Sequence, residues 1–133
     1  MRATVLTAPG QISLVDVPDP KIELPTDAVV RVVASCICGS DLWPYRGARP
    51  VQAPERIGHE FVGIVEELGE GVSTLSIGDF VIAPFAISCG TCANCRNGVQ
   101  TSCLNAGYWG NPENGGTADA GQGEAVRVPF ADG

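Results

Sequence analysis

The sequence is short of histidine, of basic residues and of long apolar runs, and each shortage removes a class of function. His59 is the only histidine in 133 residues. The zincin pattern HExxH needs two, and His59-Glu60-Phe61-Val62-Gly63 offers no second. The nucleobase-deaminase pattern, H-x-E followed by P-C-x-x-C, is also missing. Lys and Arg number 8 against 15 Asp and Glu, a formal charge of -7. That balance argues against a phosphate-backbone partner, so no nucleic acid is expected, and it reads as plain solubility. No apolar run reaches about 18 residues, so no membrane span is expected. The N-terminal MRATVLTAPG has one Arg and no sustained apolar core, unlike a secretory signal. Nucleotide-binding loops are lacking too. Gly69-Glu70-Gly71 and Gly121-Gln122-Gly123 have no third glycine and open no helix, so both read as turns.

What is present points to β structure. The length fits one domain, and 44% hydrophobic residues suffice for a core. With 17 Gly and 10 Pro, turns and short strands are favoured over long helices. Ala3 to Val5 and Ile12 to Leu14 predict two strands joined at Pro9-Gly10. AVVRVVA at 28–34 predicts a buried strand. Residues 42–54 read as loop with at most one helical turn. FVGIVEEL at 61–68 predicts a strand bulged or bent at Gly63. FVIAP after Gly78-Asp79 and EAVRV at 124–128 predict two more, and 86–116 reads as an irregular lobe. The class is mainly β, a small barrel or rolled sheet.

Cys89, Cys92, Cys95 and Cys103 have the spacing C-x2-C-x2-C-x7-C. Two-residue gaps let successive sulfurs turn inward on one ion, as in a closed four-thiolate zinc site of structural type. A redox CxxC, two disulfides and an iron–sulfur run are the alternatives. The fourth cysteine comes late for an iron–sulfur run, and Leu104 follows it instead of proline. Cys38 and His59 form a second constellation at two element ends, with Glu60 beside them as ligand or neighbouring carboxylate. Asp41 is placed to fix the His59 tautomer, and Ser40 to pass a proton. The plain alternative is a buried thiol and a satisfied core histidine. Cys36 is expected to pack in the core. Trp43, Tyr45 and Trp109 either cap the core or line a cleft.

Together these motifs resemble the zinc-containing medium-chain dehydrogenase/reductase family over nearly the whole chain. The resemblance rests on C-I-C-G-S-D-L-W at 36–43, G-H-E-F-V-G at 58–63, V-x2-L-x2-G-D-F-V at 72–81, the four-cysteine lobe, and G-Q-G-E-A-V-R-V-P at 121–129. It implies a GroES-like partly open β-barrel over residues 1–133, with an irregular structural-zinc lobe. It implies catalytic zinc on Cys38 and His59 with Glu60 close by, Ser40 as proton relay, and Asp41 orienting His59. The implied reaction interconverts a small-molecule alcohol and a carbonyl compound, passing a hydride to or from NAD or NADP. The expected setting is the cytoplasm, and a homo-oligomer stays open. Two departures stand out. A relay histidine of some relatives is Trp43 here. The family's Rossmann domain, with a third zinc ligand, is absent from these residues, so they are expected to be inactive alone. The alternative is a stand-alone zinc-stabilised GroES-like binding or assembly module without catalysis.

Overall fold

The computed structural model describes residues 1–50, 53–105, 107–112 and 116–133. Parts of the expected loop at 42–54 and of the irregular lobe at 86–116 lie outside the described residues. Among the described residues, seven strands run in order: β1 (Arg2–Ala8), β2 (Gln11–Asp16), β3 (Ala28–Ser35), β4 (Glu55–Arg56), β5 (Phe61–Leu68), β6 (Phe80–Ala83) and β7 (Ala125–Val128). Two helical turns accompany them, α1 (Leu42–Tyr45) and α2 (Ala93–Arg96). The strands form two antiparallel sheets, β2-β1-β4 and β6-β5-β3-β7, and neither closes on itself.

Local chemistry explains these elements. Gly10, at φ +74°, makes the β1–β2 turn that Pro9-Gly10 predicts. The core is Val30, Phe61, Val65, Ile87, Trp109 and Val126, drawn from β3, β5, β7 and the lobe. Phe61 and Trp109 meet edge to face, with ring centroids 5.0 Å apart.

Three expectations need correction. β3 is buried only from Ala28 to Val30, because β7 pairs with it only as far as Arg31. Beyond that point Val33 is 56% exposed, and Cys36 is exposed rather than packed in the core. β5 is bulged, but not at Gly63. The register skips Glu66 on β5 and Val33 on β3. Gly63 serves a close approach instead, since a Cβ there would strike the Arg31 carbonyl and Val30. Finally, β4 is a strand that no alternation announced. Its two residues pair with Val5 and Leu6 of β1.

Asp132 ties the C-terminal segment to the turn after β5. Its carboxylate accepts from the Ser73 amide at 2.9 Å and the Thr74 amide at 3.0 Å, and from both hydroxyls. Led by the Thr74 hydroxyl, these bonds hold the carboxyl well below its ordinary value of 3.8. A group depressed in the folded state contributes stability above its unfolded pKa and loses it as pH falls toward the folded one. Urea midpoints should therefore drop on acidification from about pH 5 to pH 2. Asp132→Asn should flatten that drop and cost about 1 kcal/mol at neutral pH. Paired denaturation curves across the range measure both.

Candidate metal centres

The second sheet brings Cys38 and His59 together. β3 and β5 pair as far as Ser35 and Phe61, and the Cys36 amide continues the ladder to the Glu60 carbonyl at 3.0 Å. Cys38 then caps a 3-10 turn over Gly39–Asp41. Asp41 Oδ2 accepts from the Cys38 amide at 2.8 Å, which fixes the carboxylate at the mouth of the turn. On the other strand, Gly58 has φ +101°. Its carbonyl accepts from the Gly121 amide at 2.8 Å, and the Ile57 carbonyl accepts from the Gln122 amide at 3.1 Å. A Cβ on Gly58 would stand 2.6 Å from Gln122 Cγ and 2.8 Å from its amide nitrogen. Only glycine satisfies both the dihedral and the approach.

The imidazole is held at both nitrogens. Asp41 Oδ1 lies 3.3 Å from Nδ1, and Ser40 Oγ lies 3.1 Å from Nε2. The carboxylate favours the proton on Nδ1, leaving the Nε2 lone pair to accept from the Ser40 hydroxyl. Ligand atoms of Cys38, His59 and Glu60 all lie within 4.8 Å of one another. Hydrogen bonding, first to Ser40 and then to His59, holds the Cys38 thiol below its ordinary range, against burial and the Glu60 charge.

Of these three, His59 lines a pocket of about 350 Å³, together with Ser40 and Asp41. Ser40, Asp41 and His59 line one side, and Phe85, Tyr108 and Trp109 are apolar walls. Arg49 and Glu55, paired at 2.9 Å, add a charged wall with Arg56. Trp109 both lines the pocket and packs in the core, its indole N–H donating to the Pro84 carbonyl at 2.9 Å. Trp43 and Tyr45 are not among the lining residues, and Trp43 is 62% exposed. Glu55, Arg56 and Tyr108 were missed in the sequence. For Glu55 and Arg56 the signal would have been β4, too short to show a period, and Tyr108 lies in the lobe, in an isolated bridge with Ala86.

Cys89, Cys92, Cys95 and Cys103 gather separately, with sulfurs within 4.8 Å of one another. A tetrahedron with arms of about 2.3 Å has edges of roughly 3.8 Å, so the set fits one zinc ion. Disulfides are not formed, since all six cysteines are free and Cys92 and Cys95 sulfurs stand 3.5 Å apart. Gly90 and Gly98, at φ +69° and +77°, give the lobe its turns. Backbone amides aim at the sulfurs. The Cys89 and Asn105 amides donate to Cys103 Sγ at 3.3 and 3.4 Å, and the Cys95 and Leu104 amides to Cys92 Sγ at 3.5 Å. These donors stabilise thiolates before any cation arrives. Cys89 is pulled down, chiefly by the Thr91 hydroxyl, whereas burial and then its bonds to Cys92 and Cys103 push Cys95 up. The lobe is a four-thiolate cage suited to structural zinc.

Comparison with known proteins agrees with this architecture. The alcohol dehydrogenase GroES-like domain family matches residues 24–132, and the chain belongs to that family. The chain is 42% identical to the uncharacterized zinc-type alcohol dehydrogenase-like protein AdhB of Bacillus subtilis, over 98% of this chain and 37% of that protein. It is 36% identical to the glutathione-independent formaldehyde dehydrogenase of Pseudomonas aeruginosa, over 98% of this chain and 36% of that one. Among solved structures, alcohol dehydrogenase TADH from Thermus sp. ATN1 superposes with a TM-score of 0.91 at 43% identity, covering 99% of this chain and 38% of that one. The chain thus spans well under half the length of the relatives it matches. No helix among the described residues is long and apolar enough to cross a membrane.

Chelating metal from the loaded chain should lower its melting temperature by more than about 10 °C. Cys95→Ser should melt at that lower temperature with or without zinc, as followed by circular dichroism. Gly58→Ala should cost at least about 2 kcal/mol in urea denaturation and move the His59 ring resonances in an NMR spectrum.

Proposed function

We propose that these residues are the metal-binding catalytic domain of a zinc-dependent NAD(P) alcohol dehydrogenase, interconverting alcohols and carbonyl compounds. The observation that carries the reading is Cys38, His59 and Glu60 within ligand distance of each other, His59 lining a pocket, with Asp41 and Ser40 on the two imidazole nitrogens. A buried thiol and a satisfied core histidine would not need that convergence. A soft sulfur, an imidazole and a carboxylate form a donor set that suits zinc of catalytic type. When bound, zinc supplies Lewis acidity at the substrate oxygen, and a nicotinamide cofactor accepts or returns the hydride.

The chain's own groups do the rest. Cys38 and His59 hold the ion, with Glu60 as a further ligand or adjacent carboxylate. Asp41 keeps the His59 proton on Nδ1, so that Nε2 is the ligand atom. With the Nε2 lone pair committed to a metal ion, the Ser40 hydroxyl would accept the substrate proton while passing its own on toward solvent. Phe85 and Trp109 keep water from the pocket wall. No loop in 1–133 has the glycine pattern of a dinucleotide site, so turnover requires a Rossmann domain outside these residues. Six unpaired cysteines support a reducing, cytoplasmic setting.

The test is the full-length protein that carries this domain. It should hold two zinc ions per chain and oxidise alcohols with NAD or NADP. Cys38→Ser should lose one zinc and at least about a thousandfold in kcat/KM, and Ser40→Ala should lose about a hundredfold in kcat with both ions retained. Full zinc loading with no nucleotide-dependent oxidation of any alcohol would overturn the reading.

A further inference from the structure

The pocket that meets His59 has an uncommon wall for an apolar alcohol. Arg49 Nη2 and Glu55 Oε1 are 2.9 Å apart, and both side chains line the same 350 Å³ space as Ser40 and His59. Glu55 sits on β4 with its side chain 19% exposed, while the Arg49 side chain is 55% exposed. One partner is fixed and the other is held largely by solvent. Arg56, the other guanidinium of the lining, is already engaged by Asp119 and by the Ala120 carbonyl at 3.1 Å. The accessible charged feature is therefore the Arg49–Glu55 pair, with the Tyr108 phenol on the same lining.

We propose that this pair selects neutral polyhydric alcohols, in which one hydroxyl is the reacting group and a second binds between Arg49 and Glu55. The inference rests on the pocket being the alcohol site. Three physical points carry it. First, among the described lining residues Asp41 and Glu55 stand against Arg49 and an Arg56 already paired with Asp119, so no excess positive charge draws an anionic substrate. Second, a carboxylate substituent would suit Arg49 but be repelled by Glu55 and Asp41, and an ammonium group would face the reverse conflict. A hydroxyl alone both donates and accepts, so it satisfies Glu55 and Arg49 together. Third, a hydrocarbon chain against the pair would strip water from two charges and return no hydrogen bond. Glu55 has acceptor capacity beyond the single bond to Arg49, since a carboxylate offers about four lone-pair positions.

The experiment compares 1,2,4-butanetriol with 1-butanol, which share a carbon skeleton. The zinc-loaded full-length protein is titrated with each, following the backbone amide signals of Gly58, Glu55 and Tyr108 by NMR. The expected result is binding of the triol about tenfold tighter than butanol. In Glu55→Gln, and separately in Arg49→Gln, that ratio should fall to near one. Glu55→Gln keeps the shape of the side chain, Arg49→Gln shortens one that is 55% exposed, and the amides of β3 and β5 report whether each variant is folded. Full-length protein should show the same ratio in KM. Two results would overturn the inference alone: butanol binding as tightly as the triol, or a tenfold ratio surviving in both folded variants. If neither alcohol moves the Gly58 and Tyr108 signals of the unmodified chain, the pocket is not an alcohol site, and the inference falls with the function proposed above.

Discussion

The register between β3 and β5 is the constraint on which the rest depends. Ser35 pairs with Phe61, and the Cys36 amide reaches the Glu60 carbonyl. A slip of one residue would turn Phe61 and Val65 out of the core and carry His59 away from Cys38. Burial of those side chains therefore sets the position of the proposed ligands. The bulges at Glu66 and Val33 twist the pair without breaking it. The Gly58 and Ile57 carbonyls then fasten the approach to His59 onto residues 121 and 122. Sheet packing and site geometry are one set of interactions here.

The two candidate metal centres use the backbone differently. In the four-cysteine lobe, amide N–H groups point at sulfurs that are buried or half-buried, so the protein prepares negative charge there. Around His59, side chains do that work, with Asp41 and Ser40 on opposite sides of one ring. The first arrangement favours permanence. The second leaves a side open to the pocket, where exchange with a small molecule is feasible. This contrast follows from local chain length, since ligands three residues apart share a turn and ligands 21 apart need a sheet between them.

Much of this was legible in the sequence where local chemistry decides. The β1–β2 hairpin followed from Pro9-Gly10, and the cysteine spacing already implied an inward turn at each gap. Strands β3, β5, β6 and β7 showed in their β-branched and aromatic content. Features set by distant neighbours were hidden. Cys36 looked apolar and is exposed, because the strand that covers β3 stops short of it. Gly63 looked like a bulge and is a contact point for Arg31. β4 carries Glu55 and Arg56, whose burial depends on β1 and on Asp119, 63 residues away from Arg56. No pattern within two residues reports such partners.

β6 forms one border of the larger sheet, with Phe80 59% and Ile82 75% exposed. Phe80 to Ala83 contains no charge and no proline, the usual deterrents to unwanted pairing. A strand of that kind offers free amide and carbonyl groups next to greasy side chains. Concentrated solutions of the isolated domain will therefore tend to cluster through this border. A lysine in place of Ile82 is the natural remedy for anyone preparing it for crystals or spectroscopy.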